Sequence, residues 1–365
     1  MNVAPYGSWI SPISVDHLVG SSVGLSAVQV EGRQVYWLES RADERGRTSL
    51  WRRPLSGGEP VEVTAQPAYV RNRVHEYGGG EYHVSGGTLV YSEFTDGRLY
   101  AVRGDGTPRP ITPEGKLRFG DIRVHPDRGL VLAVREDHSG DGEPANTIVA
   151  LDLEGPNTDG GTVLCSGADF YSTPELSVSG RLAWMQWNHP NMPWDSTRIM
   201  VGSLSGPMIT RSQVVAGGPG ESAVQPRWLG DNLIFVSDRT NWWNLYLWNN
   251  DEVQPICATD AEFCPPQWFL GQRPYAIIDD DHLLCTLNRS GDQSIEVLRI
   301  SDGTLHQVAP DGIAATSLDV EGGSAAGVLN YPDRPAAVAL YDLDRNIWTT
   351  VRSSTEMIMD AASVS

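Results

Sequence analysis

Short apolar runs rich in Val, Leu, Tyr and Trp recur along the whole chain, broken by Gly, Asp, Asn and Pro. Each run is strand-length and each break is turn chemistry, and helical periodicity is almost absent. The runs come in groups of four. One group reads VGLSAVQVEG, QVYWLES, TSLWRRPL and PVEVT; the next reads GGGEYHVSGG, TLVYSEF, RLYAVRG and RPIT. The same grammar repeats through STPELSVSG with RLAWMQW, AVQPRWLGD with NLIFVSD, CPPQWFLGQ through HLLCTLN, and IAATSLDVEGG with SAAGVLN. A period of roughly 40–50 residues built of four short strands is a propeller blade, which must stack on its neighbours to bury its faces. Seven groups predict an all-β fold, a seven-bladed propeller over residues 21–352, with a lead-in at 1–20 and a tail at 353–365. No group carries a WD dipeptide, and no strand exchange between the termini is visible. A ring closed by packing alone would be looser between its first and last blades.

Strand alternation makes the two faces of such a disc unequal. The turns between the first and second strands of each group are short, as in EGRQ, SGGT and LGDN. The loops between the second and third strands are long and chemically loaded: SRADERGRT, EDHSGDGEPAN, WNHPNMPWDST and SDRTNWWN. The lead into the second group, VRNRVHEYGGGEY, falls on the same face. Loops on a rigid scaffold are the usual place for binding residues. The expected interaction face therefore carries Arg73, His75, Glu76, Tyr77, Trp187, His189, Asn191, Trp194, Asp195, Arg239, Trp242 and Trp243. A structural alternative stands beside each. Trp187 and Trp194 with Pro190 and Pro193 suit a self-packed loop. Gly78, Gly79 and Gly80 suit close backbone approach near the axis. His75 suits a hydrogen-bonded structural histidine, and Asp238–Arg239 a local ion pair at a turn.

Composition narrows the partners. The 365 residues carry 27 basic and 46 acidic side chains, a net charge of −19. That charge repels nucleic acid and acidic membrane surfaces, so neither is an expected partner. No run is long and apolar enough to span a bilayer, and the first residues show no signal-peptide pattern. The four cysteines, Cys165, Cys257, Cys264 and Cys285, form no metal-ligand spacing, which suits free thiols in a cytoplasmic protein. No cofactor or metal is expected; the acidic stretch 137–143 lacks calcium-loop spacing. Gly20-Ser21-Ser22-Val23-Gly24 spells G-x-S-x-G, but it precedes a strand with no helix after it, so a catalytic residue is not expected there.

APYGSW with SPI, VRNRVHEYGGGEY, WNHPNMPWDSTRI, FVSDRTNWWNLY and CPPQW together resemble, in order, the N-terminal propeller of the prolyl-oligopeptidase family of serine peptidases. The dipeptidyl aminopeptidase and acylaminoacyl peptidase type is the most similar. The resemblance implies a partner, an α/β-hydrolase domain with a Ser-Asp-His triad, supplied in cis in a longer form or in trans, and peptide substrates. No triad residue has a counterpart in this sequence, so the chain alone is expected to be inactive, and STEMIMDAASVS resembles a linker toward the missing domain. The implied role is gating access and holding a substrate's amino end, for which Glu76 is the candidate carboxylate. A stand-alone interaction platform without catalysis is the alternative.

Overall fold

The computed structural model describes residues 5–8, 22–249, 251–310 and 312–355. Its strands form seven four-stranded antiparallel sheets, each made of four consecutive strands. We number these blades 1 to 7, spanning residues 23–62, 82–110, 117–165, 170–217, 223–257, 275–307 and 314–353. The described residues contain no α-helix, only two single 3-10 turns. The lead-in and tail fall outside the described residues except for 5–8 and 353–355, and so do Gly20 and Ser21 of the G-x-S-x-G string.

Burial follows radial position. Second strands such as Thr88–Ser92 and Asn232–Ser237 are covered on both faces, and nearly every residue in them is buried. The outermost strand Met208–Gly217 is largely exposed, which its TRSQ centre permits. Seven buried apolar clusters lie mainly between neighbouring blades. Apolar faces of adjacent sheets can only be hidden this way, so the ring is held by its blade–blade seams.

The inner strands share a device that the sequence reading missed. Ala27, Asp121, Thr173 and Gln225 have φ of 51°, 49°, 52° and 56°, and the ladder shifts register beside each of them. Such bulges sharpen twist and re-aim the side chains that follow. The residues two positions on gather around the axis. Arg123 of blade 3 holds Glu175 of blade 4 at 2.7 Å and its own Asp121 at 3.1 Å. Arg273 holds Asp319 of blade 7 at 2.6 Å.

Among the described residues no strand crosses between blades 1 and 7. Their seam buries Val28, Val30, Val35 and Trp37 against Ala326, Val328, Val338 and Val351. These are mostly small side chains, and polar links supplement them. Val30 N–H donates to Asp319 at 2.8 Å and Gly32 N–H to Glu321 at 2.7 Å. The fully buried Glu39 carboxylate accepts from Trp37, Arg41 and, across the seam, Arg352. Glu39→Leu is expected to cost about 2 kcal/mol, because charge-assisted bonds are lost while the partly exposed arginines regain water. Urea denaturation checks this, with Arg352→Leu expected to lose part of the same energy.

Blade 6 departs from the sequence reading. Its inner strand is only Tyr275–Ile277. The CPPQWFLGQ segment assigned to that strand belongs to the connection 258–274 instead. The reason is local: Pro265 and Pro266 cannot donate to a ladder.

Candidate functional site

Two connections meet across the axis on the loop-bearing face. Residues 72–80 lead into blade 2 and residues 267–274 lead into blade 6, blades that are not neighbours in the ring. Leu270 N–H donates to Gly78 O at 2.8 Å, and Gly79 pairs with Leu270 as a parallel bridge. Gln267 reaches Gln225 of blade 5 at 2.6 Å and Ser172 of blade 4 at 3.0 Å. Asn72 locks the turn, donating to Gly79 O at 3.0 Å and accepting from Val74 N–H at 3.1 Å. The glycines give close approach: a Cβ on Gly80 would sit 2.5 Å from Asp121 Cα, and one on Gly79 would overlap the Leu270 backbone. Just before them His75 and Glu76 hold φ of 53° and 66°, an uncommon pair for non-glycine residues.

These crossings bring six of the twelve expected residues around one apolar cavity of 150 Å³. His75, Tyr77, Trp187, His189, Asn191 and Trp194 line it, together with Phe170, Met192, Gln267, Trp268, Phe269 and Leu270. Trp187 is buried and stacks on Phe170 at 5.2 Å between ring centroids. His75 meets Phe170 and Trp187 edge-on at 5.1 and 5.4 Å. Burial lowers the His75 pKa to about 4, with the neighbouring Asn146 side chain pulling the other way. The ring is therefore neutral at pH 7, with the Asn146 side chain as its polar neighbour. Tyr77, Trp268 and Phe269 form the rim, 65%, 51% and 47% exposed. Trp268 bridges Trp194 at 4.5 Å and Tyr77 at 5.9 Å. His189 lies over Phe170 and shares Asp169 through its ring and its N–H.

The other six expected residues lie elsewhere or serve the scaffold. Arg73 lines a separate 430 Å³ cleft between blades 2 and 3, with Arg118 and His138. Glu76 is exposed beside it, bound to Arg73 at 2.5 Å and Arg118 at 3.3 Å. The Arg73 hydrogen bond holds its carboxyl below the ordinary range. Asp195 closes its own loop by accepting from Met192 N–H at 2.8 Å. Arg239 pairs with Glu221 at 2.7 Å and stacks on Tyr246, so its ion pair is not with Asp238. Trp243 lines a 700 Å³ groove shared with Trp268, Phe269, Pro266 and Arg273. Trp242 lines none of these cavities.

Sequence reasoning passed over Trp268, Phe269 and Phe170. A Trp-Phe pair after Pro-Pro, in a connection too long for a simple turn, was the available signal. Among the described residues no group of three or more His, Cys, Asp or Glu could hold a metal ion.

No protein-family model and no curated protein matches the chain. Solved structures do. The chain is similar to a puromycin-hydrolysing peptidase of Mycobacterium tuberculosis, with 33% identity and a TM-score of 0.90 over 100% of this chain and 58% of that one. A puromycin hydrolase matches with 29% identity and a TM-score of 0.91, over 99% of this chain and 58% of its own. A prolyl endopeptidase matches in fold, with 13% identity and a TM-score of 0.70 over 93% of this chain and 51% of that one. The chain thus spans little more than half the length of each of these three proteins. No described helix is long and apolar enough to cross a membrane. The chain is a seven-bladed β-propeller that closely matches the N-terminal propeller of prolyl-oligopeptidase-type serine peptidases, puromycin hydrolase among them.

Proposed function

We propose that the chain is the non-catalytic propeller part of a cytoplasmic serine peptidase of aminopeptidase or acylaminoacyl-peptidase type. It works with an α/β-hydrolase domain supplied in cis or in trans. The observation that carries this reading is the overlay of essentially the whole chain on just over half of two puromycin-hydrolysing proteins.

The loop-bearing face is the side that meets the hydrolase and the substrate in this proposal. Residues 72–80 and 267–274 lie across the axis on that face, so a peptide enters from the side, between the two domains, rather than down the ring. Large folded proteins are thereby kept from the nucleophile. The substrate ammonium is held by charge-assisted hydrogen bonds at the rim, where Glu76 is the candidate acceptor. Two arginines already engage Glu76, so the amine joins a shared carboxylate rather than a free one.

Chromogenic aminoacyl substrates should be turned over when this chain is joined to, or mixed with, an α/β-hydrolase partner, and not by the chain alone. In the joined enzyme Glu76→Gln is expected to raise KM about tenfold for free-amine peptides while sparing blocked ones. Equal effects on both substrates remove Glu76 from the role. A stable chain that neither binds nor assists any hydrolase would favour the interaction-platform reading.

A further inference from the structure

Beyond the amine-end role, we propose that the cavity between the blade 4 loop and the two axial crossings is a subsite for one aromatic side chain of the ligand. The inference rests on the loop-bearing face being the ligand-facing one. It names what that face selects.

Size comes first. The cavity measures 150 Å³. An apolar cavity of about that volume accommodates a single benzene-sized ring. Aromatic rings make up much of its wall: Phe170, Trp187, Trp194, Trp268 and Phe269 line the space, with Pro190, Met192, Pro193 and Leu270 between them and Asn191 and Gln267 as polar members. Aromatic walls favour an aromatic guest, since edge-to-face and offset contacts add to simple area burial.

The rim argues for an occupant. Tyr77, Trp268 and Phe269 are about half exposed or more, although each has apolar neighbours close by. Large exposed apolar groups clustered together mark a binding place rather than ordinary surface, and Tyr77 borders this cavity while Trp268 and Phe269 border both it and the 700 Å³ groove.

Position supports a ligand over a structural void. The walls come from three separate chain segments, 75–77, 170–194 and 267–270, fastened together by the Gly78–Leu270 backbone bond. The cavity is therefore preformed, so binding need not first order the site.

The test uses the full 365-residue chain and ligand-observed saturation-transfer NMR with N-acetyltyrosinamide, N-acetylphenylalaninamide and N-acetylleucinamide. Both aromatic amides should bind saturably in the millimolar range, at least tenfold tighter than the leucine amide. The His75 ring resonances should shift during the aromatic titrations. Trp268→Ala, a change at a half-exposed position that should leave the fold intact, should weaken aromatic binding at least tenfold, and Phe269→Ala serves if that variant fails to fold. No saturable binding, equal binding of leucine amide, unmoved His75 resonances, or unchanged affinity in the folded variant would each overturn the subsite. Because the assay needs no hydrolase, its failure is separable from failure of the peptidase reading, which is decided by turnover with the hydrolase domain.

Discussion

Gly79→Ala is expected to destabilise the propeller by about 4 kcal/mol, near the top of the range for a single methyl addition. Two costs combine. Gly79 sits at φ +109°, where a side chain is strained whatever space surrounds it. The new Cβ would also lie 2.7 Å from the Leu270 nitrogen and carbonyl carbon, which are backbone atoms and cannot swing aside. Relief requires the two axial crossings to part, which breaks the Leu270–Gly78 bond and the Gly79–Leu270 bridge together. Urea denaturation measures the loss. Gly32→Ala is the control: its φ of +59° is also left-handed, but no atom lies within 4 Å of its Cβ. That variant should lose only about 1 kcal/mol. If the two variants cost the same, the crossings are not in tight contact. The folded fraction of Gly79→Ala should also bind aromatic amides more weakly, because Leu270 carries Trp268 and Phe269 into the cavity.

Acid should weaken the fold well above the pH at which carboxylates are protonated. His75, His83 and His125 all have pKa values below the ordinary histidine value, each first because burial disfavours the imidazolium. Arg123, Arg273, His125 and Arg227 repel a proton from His83, and Arg123 and Arg128 repel one from His125, while Glu175 attracts one there. In each case the unfolded chain binds a proton at a higher pH than the folded chain. Stability is therefore undiminished above pH 6.5 and falls as pH drops below it, by about 1.4 kcal/mol per pH unit for His75, with His83 and His125 acting in the same direction. For His75 the fall ends near pH 4, a loss of about 3 kcal/mol. The carboxylates held low by partners, such as Glu44 and Asp137, lose stability only below their unfolded values near pH 4. Burial pushes the carboxyl of Glu81 up and so acts in the opposite direction as pH falls, which makes the difference between the native chain and a histidine variant the quantity that reports the His75 contribution. Thermal midpoints at pH 7, 6 and 5 should fall steadily, and His75→Phe, which keeps the ring contacts, should flatten the slope. Equal slopes for the native chain and His75→Phe contradict the burial of the His75 ring.

The polar core around the axis explains why two of these histidines lie in an electropositive place. Arg123 and Arg273 each have a carboxylate partner, yet Arg227 has no ion pair within 4 Å among the described residues. Its pKa is lowered first by burial and next by Arg273. The ring of bulges that aims these residues inward is a packing solution, because inner strands converge where there is least room.

The sequence by itself determined the blades. Strand-length runs separated by Gly, Asp, Asn and Pro declare four strands and their turns locally, and a blade that cannot bury its own faces implies the ring. It also marked the loaded face, because loop length and loop chemistry are local properties. His75, Tyr77, Trp187, His189, Asn191 and Trp194 were all legible as loop residues with something to present. Only the tertiary structure decided that these six converge while Arg73, Glu76, Asp195, Arg239, Trp242 and Trp243 do not. Convergence depends on which connections reach across the axis, and that is settled by backbone contact between Gly78–Gly79 and Leu270, residues nearly two hundred positions apart. No local pattern encodes such a contact. Trp268 and Phe269 gained their place at the cavity by the same route, carried there by a connection whose neighbours in sequence never touch it.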